Sequence, residues 1–214
     1  MFPFKDRKDA GEKLGRALEA YKDKKALVLA IPRGGVAVGC EVARSLNADL
    51  SIIIARKLPF PDNPESGFGA IAEDGSAYLI NGARSWVSED EIAEISRRQK
   101  EEIQRRIAVL RNGKPLPDIA GRTVILVDDG IAMGSTMRAA ILYCEHGKAG
   151  KIVVAAPVSG RRTVRELRDW VDEVVVLETP FQFHAVAQVY ENWYDVSDNE
   201  VLEMLRTWRD GDRT

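Results

Sequence analysis

The sequence has few cysteines, no long hydrophobic run and no apolar leader. Cys40 and Cys144 are its only two cysteines among 214 residues, so neither a disulfide scaffold nor a zinc site can form from cysteine alone. Both lie in helical apolar patterns, and we expect them to be buried free thiols. No apolar run reaches the about 18 residues that a membrane helix needs, and the charged N-terminus lacks the apolar core of a signal peptide. We therefore expect a cytoplasmic protein with no membrane partner.

The sequence also lacks a large excess of either positive or negative charge. The chain has 33 acidic and 31 basic residues, a net charge of −2, which gives no support to a protein that acts mainly on nucleic-acid phosphates. A helix predicted over residues 89–111 has a basic face that acids dilute, and a solvated face is its simpler interpretation. The bases are Arg97, Arg98, Lys100, Arg105 and Arg106, and the acids are Glu94, Glu101 and Glu102. We do not expect nucleic acid as a partner.

Short apolar runs alternate with amphipathic segments along most of the chain. This order predicts an α/β protein with a parallel sheet, right-handed crossovers and helices on both faces, in a single domain spanning residues 1–214. Predicted strands cover 26–31, 50–55, 123–127, 151–157 and 173–178; predicted helices cover 6–22, 36–46, 89–111, 137–146 and 161–170, and a last one follows Ser197. Residues 56–68, with three prolines, predict an irregular loop, and 70–80 predict a hairpin that turns at Asp74-Gly75.

Two common phosphate loops are absent. No lysine precedes Ser135, which excludes a Walker loop, and PRGGVAVG does not supply the GxGxxG of a dinucleotide fold. A different loop follows the strand 123–127, where ligands of parallel sheets bind. It runs DDGIAMGST over residues 128–136. Its glycines let backbone amides approach an anion at a helix start, and its two acids can accept hydrogen bonds from sugar hydroxyls or reach a metal ion. A plain turn is the alternative interpretation.

Further charged and glycine residues follow the first two predicted strands. Gly34-Gly35, between a strand and a helix, is suited to expose amides to an anion. Arg56 and Lys57 follow the second strand, and we expect both at the same sheet edge, where they could neutralise phosphate charge. A simple strand–helix turn and a surface basic pair remain the alternatives.

The segment VILVDDGIAMGST resembles the phosphoribosyl-diphosphate (PRPP) motif of the type I phosphoribosyltransferases. The resemblance extends to FKDRKDAGEKL, LAIPRGGVAVGCEVA, IIARKL and FHAVAQVYENW, and to a group of bacterial and archaeal phosphoribosyltransferase-like proteins of poorly defined substrate. It implies the type I phosphoribosyltransferase fold, with a flexible catalytic loop or hairpin over 58–77 and a hood over 180–196. It also implies transfer of ribose 5-phosphate from PRPP to a nitrogenous base with release of pyrophosphate, Mg²⁺ as the cofactor, and a homodimer.

The resemblance also implies roles for individual residues. Asp128 and Asp129 would bind the ribose hydroxyls, and would reach the metal only through water or ribose oxygens. Together with Arg56 and Lys57 they form the predicted catalytic group. The predicted PRPP-binding residues are Arg33, Gly34, Gly35, Asp128, Asp129, Gly130, Ile131, Ala132, Met133, Gly134, Ser135 and Thr136.

Two departures from the family pattern leave the base open. Met133 stands where many relatives carry Thr, so one hydroxyl contact to phosphate is lost. Ala132 stands where the resemblance places the acid of 6-oxopurine enzymes, which argues against hypoxanthine, guanine or xanthine by that mechanism.

In the hood, His184 could contact substrate, and the aromatic residues Phe181, Phe183, Tyr190 and Trp193 could line a base pocket, although core packing serves equally well. For His146, a position complementing a helix dipole is the simpler interpretation.

Two rival functions fit the same sequence. One is a regulatory protein that senses PRPP or a nucleotide on this fold, since fold does not imply function. The other is a hydrolase acting on a PRPP-like sugar phosphate. A closed pocket roofed by aromatic side chains would favour the transferase, and an open or blocked one would favour a rival.

Overall fold

The computed structural model describes residues 2–211, with the side chains of residues 2–208. The strands are β1 (Leu27–Ala30), β2 (Asp49–Ile52), β3 (Ala55–Phe60), β4 (Asn63–Ala72), β5 (Ala77–Leu79), β6 (Thr123–Val127), β7 (Lys151–Val158) and β8 (Glu173–Glu178). The helices are α1 (Arg7–Ala17), α2 (Gly34–Leu46), α3 (Ala83–Trp86), α4 (Glu89–Arg111), α5 (Ser135–His146), α6 (Arg161–Leu167) and α7 (Asp198–Gly211). Short 3-10 turns cover Glu19–Tyr21 and Val186–Val189.

A five-stranded parallel sheet in the order β2-β1-β6-β7-β8 forms the centre of the fold. Strands β1 and β6 lie side by side, with Leu27 opposite Val124 and Ala30 opposite Val127. All four residues of β1 are inaccessible to solvent, because the sheet is covered on both faces. A strand that is buried on both faces has apolar side chains at every position, which explains the uninterrupted apolar run of β1. The expected α/β architecture is therefore present.

Different helices cover the two faces of this sheet. On one face, apolar side chains of α1 and α2, among them Leu14 and Val42, pack against Val28 and Ile125. On the other, α5 and α6 pack their apolar side chains against Leu29 and neighbouring strand residues. Both cysteines are buried and free as predicted, and burial raises the pKa of Cys40 to about 11 and that of Cys144 to about 12. Neither thiol is thus suited to act as a nucleophile.

The prediction of an irregular loop over residues 56–68 was wrong. These residues form most of β3 and β4, which with β5 make a three-stranded antiparallel sheet. Leu58 and Phe68 are inaccessible in its core, and this burial outweighs the proline signals. The register shifts on both sides of Pro59, which shows how the strand accommodates a residue without an amide hydrogen. The β4–β5 hairpin turns through Gly75 (φ 92°), as predicted.

Other differences concern the ends of elements. The predicted strand 50–55 is split, because β2 ends at Ile52 and the chain enters the second sheet at Ala55. The predicted helices over 6–22 and 161–170 end early, at Ala17 and Leu167. The capping-box starts of α4 at Ser88 and of α7 at Ser197 are both present. Among the described residues, the helices include none with the length and apolar character of a membrane span.

Candidate active site

The loop 128–134 leaves the carboxyl end of β6 and leads directly into α5. Ile131 anchors it, because this side chain is buried and its amide donates to the Val158 carbonyl over 2.9 Å. Gly134 has a left-handed backbone (φ 76°) and stands immediately before the helix. Ser135 and Thr136 form the first residues of α5, two positions earlier than the sequence predicted. Their amides and hydroxyls lie at the helix end that favours an anion.

A cavity of about 560 Å³ lies between this loop and the antiparallel sheet. The loop contributes Asp128, Gly130, Ile131, Ala132, Met133, Gly134, Ser135, Thr136 and Met137. The sheet side contributes Lys57, Phe60, Glu65, Ser66, Gly67, Gly69 and Ile80, and Trp86 completes the lining. A volume of this size is in the range of small-molecule sites.

Asp128 lines this cavity at the end of β6. Its Oδ1 accepts a hydrogen bond of 2.8 Å from the Asp129 amide. Burial, and then the neighbouring charge of Asp129, raises the pKa of Asp128 well above the ordinary carboxyl range. Raised carboxyl pKa values are common at functional sites, so this position is consistent with a role in ligand binding.

Asp129 is held by an arginine from the start of the chain. Arg7 Nε lies 2.7 Å from Asp129 Oδ2, and the two side chains are only 7% and 15% exposed. Arg7 Nη1 also donates to the Tyr194 carbonyl over 2.9 Å, and its guanidinium lies 3.9 Å from the centre of the Trp193 ring. Helix α1, one site acid and the 180–196 segment therefore meet at Arg7.

The loop after β1 packs tightly against both acids. Gly34 and Gly35 begin α2. A methyl group added at Gly34 would overlap the Asp129 carboxylate, and one at Gly35 would lie 3.0 Å from the Asp128 Cα. The peptide bond between Pro32 and Arg33 is cis. No larger residue fits at Gly34 or Gly35 without a shift, because the two acids occupy the space that its side chain would need.

The Arg33 side chain is partly exposed, and its Nη1 lies 4.0 Å from Asp198 Oδ1 at the start of α7.

The antiparallel sheet separates the basic pair that the sequence predicted together. Lys57 lines the cavity, and its Nζ donates to the Glu65 carbonyl over 2.6 Å. Arg56 extends instead towards α4, where its Nε donates to Gln99 Oε1 over 3.1 Å. Adjacent strand residues face opposite sides of a sheet, and the two side chains follow that rule. Of this pair, the structure brings only Lys57 to the cavity.

The outer part of the loop 128–136 is held from α5 and α6. Arg138 is buried, donates to the Met133 carbonyl over 2.8 Å and pairs with Glu166 over 2.7 Å. The Thr163 hydroxyl donates to the Ala132 carbonyl over 2.9 Å. Because α5 and α6 each bind one of these carbonyls, the loop backbone is held in one position.

The predicted hood residues divide into two groups. Phe181 is 88% exposed, and Phe183 and His184 line a second cleft beside Ala132 and Met133. Tyr190, in contrast, is buried and donates from its hydroxyl to the Asp129 carbonyl over 2.7 Å. Burial raises the pKa of Tyr190, so its hydroxyl keeps the proton that it donates.

The 180–196 segment is tied to the start of the chain. The Phe4 amide donates to the Val189 carbonyl, and the Glu191 amide donates to the Phe4 carbonyl.

His146 lies apart from the cavity lining. It is in the last turn of α5, where its Nδ1 is 2.9 Å from Ser76 Oγ and 3.5 Å from Asp74 Oδ2. It therefore contacts the β4–β5 turn rather than the candidate site.

The arginines of α4 pair with acids of the same helix. Arg97 and Arg98 pair with Glu94, and Arg105 and Arg106 pair with Glu102. These contacts favour a solvated helix face.

Sequence reasoning missed two site-supporting residues, Arg7 and Arg138. Arg7 stood inside the quoted stretch FKDRKDAGEKL, but its spacing from Asp129 along the chain gave no sign of contact. Arg138 lies four residues after Gly134 on an amphipathic helix, where an arginine is ordinarily exposed. A charged residue with a buried partner can be recognised only when the tertiary contact is known.

The acids at this site do not form a protein-only metal cage. Among residues 2–211, no group of three or more His, Cys, Asp or Glu side chains is placed to hold a metal ion. Asp128 and Asp129 offer carboxylate oxygens, which Mg²⁺ prefers, but Asp129 already pairs with Arg7. The residues therefore fit a Mg²⁺ held mainly by an anionic ligand and water.

A parallel α/β sheet with a glycine-bearing loop between a strand end and a helix start defines a class of folds in which many members bind phosphorylated small molecules at this edge. Comparison with known proteins narrows this class. The phosphoribosyl transferase domain family matches residues 7–192. The chain belongs to this family.

Relatives of two kinds support the assignment. A Mycobacterium tuberculosis protein named provisionally as a phosphoribosyl transferase is 41% identical over 210 residues, which cover 97% of this chain and 47% of that protein. The chain thus spans about half the length of the curated relatives it matches. Among solved structures, the protein TT1426 from Thermus thermophilus has a TM-score of 0.81 and 36% identity, covering 96% of this chain and 98% of that one.

A more distant structure agrees in fold alone. A hypoxanthine phosphoribosyltransferase from Staphylococcus aureus has a TM-score of 0.50 and 10% identity, covering 82% of this chain and 76% of that one.

Proposed function

We propose that this protein transfers the 5-phosphoribosyl group of PRPP to a nitrogenous acceptor and releases pyrophosphate. The observation that carries the proposal is the meeting of two loops: Gly34 and Gly35 pack directly against Asp129 and Asp128 at the end of β6. Amides that can face a diphosphate therefore stand beside acids that can face a ribose. Family membership supports the same class of reaction.

Each part of the site has a proposed task. Residues 132–136 bind the 5-phosphate through backbone amides and the hydroxyls of Ser135 and Thr136. Asp128 and Asp129 accept hydrogen bonds from the ribose hydroxyls, and Arg33, Gly34 and Gly35 bind the diphosphate. Lys57 reaches the cavity and neutralises phosphate charge. Arg56 acts only if the hairpin moves, because its side chain lies on the other face of β3.

The proposed chemistry is a displacement at the anomeric carbon. The C1–O bond breaks with its electron pair going to pyrophosphate, and the acceptor nitrogen forms the new bond with its own pair. Positive charge develops on the ribose ring, and the acids beside it stabilise that charge. Mg²⁺, when bound, shields the charge of the diphosphate. Because Ala132 is exposed and has no carboxylate, this loop position cannot accept a proton from the acceptor.

An open cleft gives specific support to a second candidate, a sugar-phosphate hydrolase. Phe181 is 88% exposed and His184 is exposed too, so the 180–184 segment does not roof the cleft beside Ala132 in this structure. An aromatic roof would exclude water, and its absence here leaves water as a competing acceptor.

Calorimetry with PRPP and Mg²⁺ tests the proposal. We expect saturable binding to the unchanged protein and loss of at least about tenfold in affinity in Asp128→Asn/Asp129→Asn, because two acceptors of ribose hydrogen bonds become weaker. The matched control is Glu101→Gln/Glu102→Gln, which removes two adjacent carboxylates on α4. Absence of binding by folded protein would refute the proposal.

Pyrophosphate release then separates the candidates. Release that requires an added nitrogenous acceptor supports the transferase. Release with water alone supports the hydrolase, and binding without turnover supports a PRPP-sensing regulator. The proposed homodimer is tested by light scattering on the same preparation.

A further inference from the structure

A second cleft, of about 490 Å³, adjoins the loop 128–136 at Ala132 and Met133. We call it the acceptor cleft. Its other walls are the start of α6, at residues 160–163, and the segment 180–184. It therefore lies between the proposed sugar-phosphate loop and the proposed hood. The charge and polarity of its lining then indicate which acceptor can bind there.

The charged side chains lining the acceptor cleft are all basic. They are Arg161 and Arg162; His184 also lines the cleft, and the lining includes no Asp or Glu. Arg162 has a partner, because its Nε pairs with Glu166 Oε1 over 2.7 Å, although Glu166 also pairs with Arg138. Arg161 has a different partner: its Nε donates to the Thr179 carbonyl over 3.2 Å. Within the part of the chain that the structure describes, no carboxylate pairs with Arg161, so its charge faces the cleft uncompensated.

Aromatic rings accompany this charge. Phe181 is 88% exposed and Phe183 half-buried, and both line the cleft. Removing the exposed ring of Phe181 from water is favourable, so a ligand that covers it is favoured. A planar ring meets this need, because aromatic faces stack on one another and on guanidinium groups.

We propose that the acceptor is a planar nitrogen heterocycle carrying a carboxylate. The inference rests on the proposed function and names its substrate class. The carboxylate pairs with Arg161, and the ring packs against Phe181 and Phe183. The ring nitrogen gives its electron pair to C1 as the C1–O pair leaves with pyrophosphate. Any proton on that nitrogen passes to water in the open cleft, because Ala132 offers no carboxylate to receive it.

The test compares acceptors in matched pairs with PRPP and Mg²⁺: orotate with uracil, nicotinate with nicotinamide, and imidazole-4-carboxylate with imidazole. We expect at least one carboxylated member to release pyrophosphate with a kcat/KM at least about tenfold above its neutral partner, as a charge-assisted contact provides. In Arg161→Gln this preference falls below about threefold while PRPP affinity stays unchanged. The matched control, Arg165→Gln, lies on the same helix outside the cleft lining and keeps the preference.

Two results overturn the inference. Release with none of the carboxylated members refutes the acceptor class; release with a neutral member in the same assay then shows that the transferase is intact, and calorimetry on the same samples shows separately whether PRPP binds. Equal loss of PRPP binding and of turnover in Arg161→Gln assigns this arginine to phosphate instead.

Discussion

Replacing Arg7 by alanine is the perturbation that most directly tests how this site is held together. The Arg7–Asp129 pair is shielded from water, with side chains 7% and 15% exposed, and the guanidinium also binds the Tyr194 carbonyl and lies over Trp193. Removing one partner of a buried pair leaves the other charge without compensation, at a cost of about 3–5 kcal/mol. Because this pair lies near the site cavity, we expect the lower figure.

That loss should be visible in thermal unfolding. About 3 kcal/mol corresponds to a fall of roughly 6–12 °C in Tm for a chain of this length. The matched control, Arg16→Ala, removes an exposed arginine from the same helix and should change Tm by less than about 2 °C. Arg7→Lys keeps the charge but loses the planar guanidinium, and should lie between the two. PRPP affinity should fall at least about tenfold in Arg7→Ala, because Asp129 is no longer oriented.

A double-mutant cycle with Asp129→Asn examines the cause. Without the Asp129 charge, removing Arg7 leaves no unpaired carboxylate, and the cost should drop to about 1 kcal/mol of lost packing and stacking. An equal cost in both backgrounds would contradict the argument, as would an Arg7→Ala protein as stable as Arg16→Ala.

Three further perturbations follow from the same contacts. The raised pKa of Asp128 means that the folded state holds this proton more tightly than the unfolded state, so the stability it contributes is present at low pH and is lost as pH rises through that pKa. Asp128→Asn should therefore raise Tm by about 2–4 °C at pH 8 but leave it unchanged near pH 4, and it should weaken PRPP binding at both pH values. A difference in Tm that is the same at both pH values would contradict this. Gly34→Ala should abolish PRPP binding in calorimetry and cost about 1–3 kcal/mol in denaturant unfolding, because its methyl group overlaps Asp129; a protein that still binds normally would count against the proposed loop contact. Arg138→Ala should cost about 1–3 kcal/mol in the same assay and weaken PRPP binding, because the Met133 carbonyl loses its donor; unchanged affinity would show that the loop is held without it.

Several elements could be predicted because their signals are local. The strand before Asp128 is an unbroken apolar run, and its burial on both faces follows from that composition. The residues just after parallel strands face one sheet edge, so the sequence placed the acids of 128–129 near Gly34-Gly35. The contacts of both glycines with those acids agree with that expectation.

Other features escaped the sequence because they depend on distant partners. Residues 56–68 were predicted as a loop from their prolines, yet Leu58 and Phe68 are buried between the hairpin and the helices packed on it. Arg56 and Lys57 were predicted together, but the pleat of β3 sends their side chains to opposite faces.

Taken alone, the sequence determined the order of strands and helices around the central parallel sheet and the residues that follow those strands, since local apolar patterns and glycine turns decide these. Only the tertiary structure decided that Arg7 pairs with Asp129 and that Tyr190 binds the Asp129 carbonyl. Such pairs join residues more than sixty positions apart along the chain. The attraction between the partners is stronger where water is excluded around both, and that exclusion arises only when the folded helices and the 180–196 segment close over them.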